Sequence, residues 1–254
     1  VVKLVLNNQD ILNALTVPMG DAFVTRVEEC RHLVSAGDVR AVVLAGSGRA
    51  FSAGGDLAWL MERSKTALAA NEKIMLDFYS RFLLPLRSLP VPTVAAIHGP
   101  AVGAGMALAL GCDVRIASAK ARLGFTFVGL GLHPGMGCTH FLPQIAGPEV
   151  AARLLLTGEK VTGAEARELR LVSEVAADAE ACLESSVARA KQISLAGPLA
   201  VQTCTATLRG RGDAGLMAAL QREASAQALC YATGDFAEGL RAITEKREPA
   251  FTGS

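Results

Sequence analysis

Short apolar runs separated by glycine-rich turns dominate the N-terminal part of the chain. Val1–Leu6 has the hydrophobic pattern of an edge strand. Three more apolar runs predict buried strands, at Arg40–Ala45, Pro92–Ile97 and Val114–Ala117. Helical segments separate these runs, and strands that alternate with helices in this way are typically parallel and joined by crossover helices. The pattern therefore predicts an α/β fold.

From about Pro148 onward the apolar residues repeat with helical period instead. Six segments show this repeat, and Gly or Pro turns separate them: Glu149–Leu156, Gly163–Arg170, Ala177–Ile193, Pro198–Leu208, Asp213–Tyr231 and Asp235–Lys246. Helices of this length cannot bury both faces against one another, so we expect them to pack on the α/β part or on a neighbouring subunit. The expected organisation is an α/β core over residues 1–195 and a C-terminal helical region over residues 196–254.

Charge and cysteine usage narrow the function classes. Lys and Arg number 25 against 24 Asp and Glu, so bulk charge draws this surface neither to nucleic acid nor to an anionic membrane. The six cysteines are scattered, without a Cys-x-x-Cys pair or a histidine at ligand spacing, which predicts reduced thiols and no metal site.

The chain start lacks the character of a signal peptide, and we expect a cytoplasmic protein. His98-Gly-Pro interrupts the apolar stretch Val94–Cys112, which predicts strand, turn and helix and not a membrane span.

Two glycine-rich turns carry the candidate chemistry. Arg49–Leu57 follows the second predicted strand, and His98–Gly105 follows the third and opens a helical run. Backbone N–H groups at a helix start have no intrahelical acceptor. Two such turns could each direct one N–H at a single oxygen, which is the arrangement of an oxyanion hole. Asp56 stands where it would cap the helix that follows the first turn.

A nicotinamide oxidoreductase is the competing interpretation of the second turn. The spacing Gly99-x-x-x-Gly103-x-Gly105 also occurs in short-chain dehydrogenases, where it cradles a pyrophosphate. Such enzymes place this motif at their first strand. In addition, neither Tyr79 nor Tyr231 has a lysine four residues later. Both observations disfavour the dehydrogenase hypothesis.

Five ordered blocks make the chain resemble the crotonase superfamily of enoyl-CoA hydratases and isomerases. The first is similar to the family's Asn-Ala-Leu turn, the second to its Phe-Cys-Ala-Gly-Ala-Asp-Leu segment and the third to its glycine-rich helix ending in Cys-Asp. The last two are similar to its Gly-x-x-Pro-Gly and Leu-Thr-Gly segments. In this chain they are Asn7–Leu15, Phe51–Leu57, His98–Asp113, Gly131–Gly137 and Leu156–Val172.

The resemblance implies a fold, a ligand and a set of site residues. The fold is ClpP/crotonase-like, with stacked ββα units and a helical C-terminal trimerisation region, and the assembly is a homotrimer or homohexamer. The ligand is an acyl-CoA thioester whose oxygen accepts N–H bonds from Gly55 and Ala104, and no cofactor is needed beyond the coenzyme A of the substrate. Alanine at 104 retains the donor provided that its φ is not positive. The residues implied to contact the ligand are Ile11, Ala53, Asp56, Leu57 and Val102.

The family's two catalytic glutamates are absent. Their positions correspond to Ala107 and Phe127, and neither side chain can transfer a proton. No Asp or Glu occurs from Phe78 to Cys112 or from Val114 to Pro148, so a shift in alignment restores neither. The resemblance therefore implies acyl-CoA binding without the usual hydratase machinery.

Three functions remain open at this point. Leu132–His140 resembles the Pro-Gly-Met-Gly segment of polyketide-associated decarboxylases, which form an enolate without removing a proton, and His133 is then the candidate proton donor. A divergent hydratase or isomerase would recruit another base, and Ser52–Trp59 resembles methylglutaconyl-CoA hydratases, which suggests a short or branched acyl group. A non-catalytic acyl-CoA-binding partner would keep only the pocket.

Overall fold

The computed structural model describes residues 1–253 and contains two β-sheets among eleven α-helices. The central sheet has five strands, and the smaller sheet has three. In chain order the strands are β1 (Val2–Leu6), β2 (Val42–Gly46), β3 (Thr93–Ile97), β4 (Ala101–Val102), β5 (Val114–Ser118), β6 (Arg122–Gly124), β7 (Lys160–Thr162) and β8 (Glu174–Ala176).

All strand pairs of the central sheet are parallel, in the order β1-β2-β3-β5-β8. The four strands expected from the apolar runs are confirmed, and β1 lies at an edge as its alternation predicts. Strands β2 and β3 are buried along their whole length, since helices cover both faces of a parallel sheet. The α/β class is therefore confirmed.

The smaller sheet is formed by strands that the hydrophobic pattern does not predict. It has the order β4-β6-β7, with β4 and β6 parallel and β6 and β7 antiparallel. These strands are only two or three residues long, too short to show a period-2 pattern. Strand β4 holds the second glycine-rich turn in place.

The helices follow the predicted C-terminal pattern closely. They are α1 (Val17–Ser35), α2 (Leu57–Arg63), α3 (Leu68–Arg87), α4 (Ala104–Leu110), α5 (Cys138–Ala146), α6 (Pro148–Thr157), α7 (Gly163–Glu168), α8 (Ala179–Ser194), α9 (Pro198–Gly212), α10 (Leu216–Tyr231) and α11 (Gly234–Glu245). The six segments predicted after Pro148 correspond to α6 through α11. Helices α1 and α3 lie where crossover helices are expected, before and after β2, although the hydrophobic pattern did not give their bounds; the buried residues of α1 recur every three or four positions.

Helix α10 packs against α3 within the same chain and closes one side of the core. Its buried residues include Gln227 and Tyr231, and α3 contributes Met75, Phe78 and Tyr79. Helix α9 is different, because most of its residues are exposed, Leu199 and Leu208 among them. The C-terminal helices thus include one that completes the core and one that leaves apolar side chains in solvent.

A buried ion-pair network fastens α9 to the core. The Arg209 guanidinium donates to Asp113 Oδ1 at 2.8 Å and to the carbonyl oxygen of Val91 at 3.1 Å. Arg87 Nη2 lies 2.7 Å from Asp213 Oδ1, at the end of the same helix. Burial alone would raise the pKa of Asp113, but the hydrogen bond and charge of Arg209 and the hydrogen bonds of Thr93 outweigh it and lower that pKa. Asp113 is therefore a structural carboxylate.

Candidate functional site

An apolar cavity lies between the two glycine-rich turns, α3 and α10. It has a volume of about 450 Å³. Most of its wall is apolar, and the titratable side chains in the wall are those of Asp56, Tyr79, Lys160 and Tyr231. Every residue that the family resemblance implied for the ligand lines this cavity: Ile11, Ala53, Gly55, Asp56, Leu57, Val102 and Ala104.

Backbone hydrogen bonds join the two turns directly. The N–H groups of Phe51 and Ser52 donate to the carbonyl oxygen of Pro100 at 3.0 and 3.1 Å, and the Val102 N–H donates to the Ser52 carbonyl at 3.1 Å. Gly105 permits this approach, because a Cβ there would lie 2.6 Å from Ser52 Cβ and 2.7 Å from its carbonyl oxygen. The two predicted turns therefore form one backbone platform.

The N–H groups of Gly55 and Ala104 are both free on this platform. Neither donates a hydrogen bond within residues 1–253. Gly54 adopts a φ of +93°, and a Cβ on it would lie 3.4 Å from the Ala104 nitrogen, so the loops are adjacent at this point. Ala104 is not among the residues with positive φ and is the first residue of α4. Two unpaired donors on the wall of an apolar cavity can stabilise a developing oxyanion.

The turn before α1 supports the first glycine-rich loop. The Leu15 N–H donates to the Gly54 carbonyl at 2.6 Å, and the Ala53 N–H donates to the Leu12 carbonyl at 2.9 Å. Asn13 is fully buried, and its Nδ2 donates to the carbonyl oxygens of Ser47 and Ala50, each at 2.8 Å. The Asn-Ala-Leu block was identified only as a resemblance. In the structure it fixes the conformation of the loop that carries Gly55.

Asp56 caps α2, as the sequence predicts. Its Oδ1 accepts a 2.8 Å hydrogen bond from the Trp59 N–H at the helix start. Trp59 stacks on Phe78 with ring centroids 4.6 Å apart, and both rings line the cavity. The carboxyl group is thus next to the cavity but is used to start a helix.

Of the two positions that correspond to the family's glutamates, one lines the cavity and the other does not. Phe127 lines the cavity, so an apolar residue stands at a position where the family resemblance implies a carboxylate. Ala107 is fully buried in α4 and does not line the cavity. Within the described residues, Asp56 is the one residue of the cavity wall that has a carboxylate. The cavity therefore lacks the pair of glutamates that would transfer protons in a hydratase of this family.

The structure places the imidazole of His133 against a backbone carbonyl. It is absent from the cavity wall, and its Nδ1 lies 2.6 Å from the carbonyl oxygen of Pro134. The His133 backbone carbonyl accepts a 2.7 Å hydrogen bond from Nε2 of the cavity residue Gln227. Met136 and Gly137, in the same loop, have positive φ angles, which the sequence does not reveal. His98 and His140 likewise bond to backbone carbonyls, of Gly48 and Gly212.

Three polar side chains that the sequence did not single out lie at the buried end of the cavity. Tyr79, Gln227 and Tyr231 are each no more than 2% exposed. Tyr231 Oη donates to Gln227 Oε1 at 3.2 Å, whereas Tyr79 Oη has no hydrogen-bond partner in the described chain. Burial, followed by the neighbouring Tyr231 and Glu223, raises the pKa of Tyr79 well above its ordinary value. Tyr79 is therefore a neutral phenol with an unused O–H donor.

Metal ligands are not assembled around this cavity. Across residues 1–253, no three His, Cys, Asp or Glu side chains are close enough together to hold a metal ion. The same part of the chain contains no helix with the length and apolar character needed to cross a bilayer.

Comparison with known proteins places the fold and the cavity in a family. The enoyl-CoA hydratase/isomerase family model matches residues 1–254. The 2,3-dehydroadipyl-CoA hydratase of Escherichia coli is 33% identical over 253 residues, which cover all of this chain and 95% of the relative. The crotonyl-CoA hydratase of Syntrophomonas wolfei is 35% identical over 214 residues, covering 84% of this chain and 80% of that protein.

A solved structure agrees with both sequence relatives. An enoyl-CoA hydratase/isomerase from Pseudoalteromonas atlantica superposes with a TM-score of 0.85 at 30% identity, over 99% of this chain and 96% of that one. The crotonase fold predicted from the five sequence blocks is confirmed. This chain belongs to the enoyl-CoA hydratase/isomerase family.

Proposed function

We propose that the protein binds an acyl-CoA in this cavity and stabilises its thioester enolate. The observation that carries the proposal is the pair of free N–H groups, of Gly55 and Ala104, on the wall of an apolar cavity. The thioester oxygen would accept from both donors, and the bond to each strengthens as the oxygen becomes negative. Ile11, Ala53, Leu57 and Val102 would contact the pantetheine or acyl group, and coenzyme A enters as part of the substrate.

The reaction we favour is one that forms the enolate without a carboxylate base. In a decarboxylation, the bond between the α carbon and a carboxylate breaks, CO₂ leaves, and the electron pair passes into the enolate that the oxyanion hole holds. A proton then adds to the α carbon. This chemistry needs the donors at 55 and 104 and does not need glutamates at 107 and 127. An apolar wall also destabilises the charged carboxylate of the substrate more than the uncharged CO₂ that leaves, which favours decarboxylation.

A divergent hydratase or isomerase is the second candidate, and the printed activities of the relatives favour it. The E. coli and S. wolfei proteins are both named as hydratases. In this chain such an activity would need a proton carrier other than a glutamate pair. The titratable groups available in the cavity wall are Asp56, Tyr79, Lys160 and Tyr231. Asp56 caps a helix, and burial raises the pKa of both Tyr79 and Tyr231, so that neither tyrosine serves as a base near neutral pH. Ordinary hydratase rates are therefore unexpected.

A substrate panel separates these reactions. The purified protein is incubated with crotonyl-CoA, with a 3-enoyl-CoA, and with an acyl-CoA that carries a carboxylate on its α carbon, and products are followed by chromatography. We expect CO₂ loss from the third substrate and little hydration of the first. Rapid hydration of crotonyl-CoA would overturn the inference drawn from Ala107 and Phe127. Binding of all three esters without any product would identify a non-catalytic acyl-CoA-binding protein.

A single substitution tests the oxyanion hole itself. Ala104 is the first residue of α4, a position where proline fits the helix but lacks an N–H. Ala104→Pro should therefore lower kcat by about 100-fold or more while the protein stays folded. Ala179→Pro is the matched control, because Ala179 is the exposed first residue of α8, which starts after the extended residue Asp178. Equal activity of the two variants would show that the 104 donor is not used.

We also propose that the chain assembles as a homotrimer or homohexamer. Leu195, Leu199 and Leu208 support this, because they are 87%, 73% and 66% exposed on or just before α9. A monomer rarely leaves such a set of leucines in water. Light scattering on the eluted protein measures the mass of the assembly, and a monomer at micromolar concentration would contradict the proposal.

A further inference from the structure

The cavity has a polar buried end that the family's enolate chemistry does not require. Tyr79, Gln227 and Tyr231 meet there, where α3 packs on α10. A Cβ on Gly135 would stand 2.4 Å from Tyr79 Oη and 2.9 Å from Gln227 Nε2, so these two polar atoms are close neighbours. Three polar side chains at one end of an otherwise apolar wall indicate a site for orientation of a ligand.

One hydrogen-bond donor in this group, the Tyr79 hydroxyl, has no acceptor among the described residues. Tyr231 Oη donates to Gln227 Oε1 at 3.2 Å, and Gln227 Nε2 donates to the His133 carbonyl at 2.7 Å. The Tyr79 hydroxyl is shielded from solvent and has no partner among residues 1–253. A buried donor without an acceptor is destabilising by roughly 1–3 kcal/mol. Such an arrangement is expected when a ligand supplies the acceptor.

The exposed fractions of the lining residues distinguish an open end of the cavity from a closed end, and this difference indicates how a ligand would lie. Leu57 and Ile243 are 42% and 46% exposed, and Lys160 is also exposed, so these residues mark the open end. Tyr79 and Tyr231 are 2% and 1% exposed and mark the closed end. The nucleotide of coenzyme A is too large and too charged for the closed end. The far end of the acyl group therefore points toward Tyr79.

The charges at the closed end exclude an anionic group. The basic residue of the cavity wall, Lys160, is at the open end. Glu223 is a charged neighbour of Tyr79, and its carboxylate already accepts from the Gly137 N–H at 2.6 Å and the Thr139 N–H at 2.8 Å. Two basic side chains, Arg63 near Tyr231 and His133 near Glu223, lie close to this end, but neither lines the cavity. A carboxylate on the acyl group would therefore be buried beside Glu223 without a cation in the cavity wall to pair with it, which is unfavourable.

We propose that the closed end is a subsite for a neutral oxygen at the far end of the acyl group, and that the Tyr79 hydroxyl donates to it. The ligand class is an acyl-CoA with a distal keto, hydroxyl or ether oxygen. This inference rests on the proposed acyl-CoA binding and specifies which acyl groups are preferred. The raised pKa of Tyr79 is consistent with it, since the phenol stays protonated and able to donate over the physiological pH range.

Calorimetry with matched acyl-CoA pairs tests the subsite. The probes are pentanoyl-, hexanoyl- and heptanoyl-CoA, each paired with its methyl ketone: 4-oxopentanoyl-, 5-oxohexanoyl- and 6-oxoheptanoyl-CoA. Adipoyl-CoA is the anionic probe. We expect one ketone to bind about tenfold more tightly than its hydrocarbon match, and we expect Tyr79→Phe to abolish that preference while hydrocarbon affinity stays within about twofold. Tyr231→Phe should retain the preference, because its hydroxyl already bonds to Gln227.

The outcomes distinguish this inference from the proposed function. If the wild-type protein binds the hydrocarbon esters but prefers no ketone, or if the preference survives Tyr79→Phe, the subsite is refuted and acyl-CoA binding stands. Tighter binding of adipoyl-CoA than of any ketone would refute the neutral subsite in favour of an anionic one. If no acyl-CoA binds at all, the proposed function fails together with the subsite.

Discussion

The side-chain nitrogen of Asn13 donates a 2.8 Å hydrogen bond to the carbonyl oxygen of Ala50, 37 residues further along the chain. The same amide group bonds to the Ser47 carbonyl and accepts from the Asn8 N–H. One buried side chain thus connects the turn before α1 with the loop that leads to Gly55. The position of the Gly55 N–H therefore depends on a residue that does not line the cavity.

Asn13→Ala should weaken both folding and the oxyanion hole. The substitution removes four hydrogen bonds of a buried side chain and places alanine at a φ of +56°, so we expect the free energy of unfolding to fall by about 3 kcal/mol. Denaturant titration measures this change. Asn7→Ala is the control, because Asn7 is exposed and accepts only from Ser47 Oγ, and its effect should stay within about 0.5 kcal/mol. Similar losses in the two variants would contradict the role given to Asn13.

Gly105→Ala should separate the two glycine-rich turns. The new Cβ would lie within 2.7 Å of Ser52 backbone, so the turns must shift and their two donors no longer point at one oxygen. We expect kcat/KM to fall by about 100-fold, since small displacements of catalytic groups have effects of this size. Gly210→Ala is the control: a Cβ there meets nothing within 4 Å in the interior of α9, and a small stabilisation is expected. Unchanged kinetics of Gly105→Ala would show that the close approach is not needed.

His133→Ala should leave the reaction nearly intact. The imidazole is outside the cavity wall and faces the Pro134 carbonyl, so its removal should change kcat by no more than about twofold. The steady-state rate on the best substrate of the panel measures this. A loss of about 100-fold, the usual effect of deleting a general acid, would instead restore the role that the sequence suggested for His133.

Arg209→Met should destabilise the protein more at neutral pH than at low pH. The folded state lowers the pKa of Asp113 below its ordinary value of 3.8, so the unfolded chain takes up the proton first on acidification. The stabilisation is therefore fully present above pH 3.8 and is lost as the pH falls through the lower, folded pKa. We expect a loss of about 3 kcal/mol at pH 7 that shrinks toward pH 3.

The control for this prediction is an exposed ion pair. Arg26 and Glu29 are 65% and 51% exposed, so Arg26→Met should change the unfolding free energy by less than about 0.5 kcal/mol at either pH. If Arg209→Met shows the same loss at pH 3 as at pH 7, its contribution arises from packing of the side chain and not from the charge of Asp113.

The sequence by itself determined the fold class and the family, and the family resemblance implied a set of residues that line the cavity. Apolar runs of four to six residues identify buried strands, and the cavity residues implied by the five blocks all line one cavity, because glycine-rich turns at the ends of adjacent parallel strands meet at one edge of a sheet. The absence of carboxylates at Ala107 and Phe127 is also a property of the sequence alone.

Only the tertiary structure decided the rest. His133 belongs to a segment that resembles part of the family's site. The direction of its ring, however, depends on the backbone angles of the loop, which no local sequence pattern encodes. Tyr79 and Gln227 are far apart in the chain and look like ordinary helix-core residues, and they come to line the same cavity because α10 packs on α3. Side-chain periodicity identifies which face of a helix is buried, but which partner covers that face is set by the packing of the whole chain.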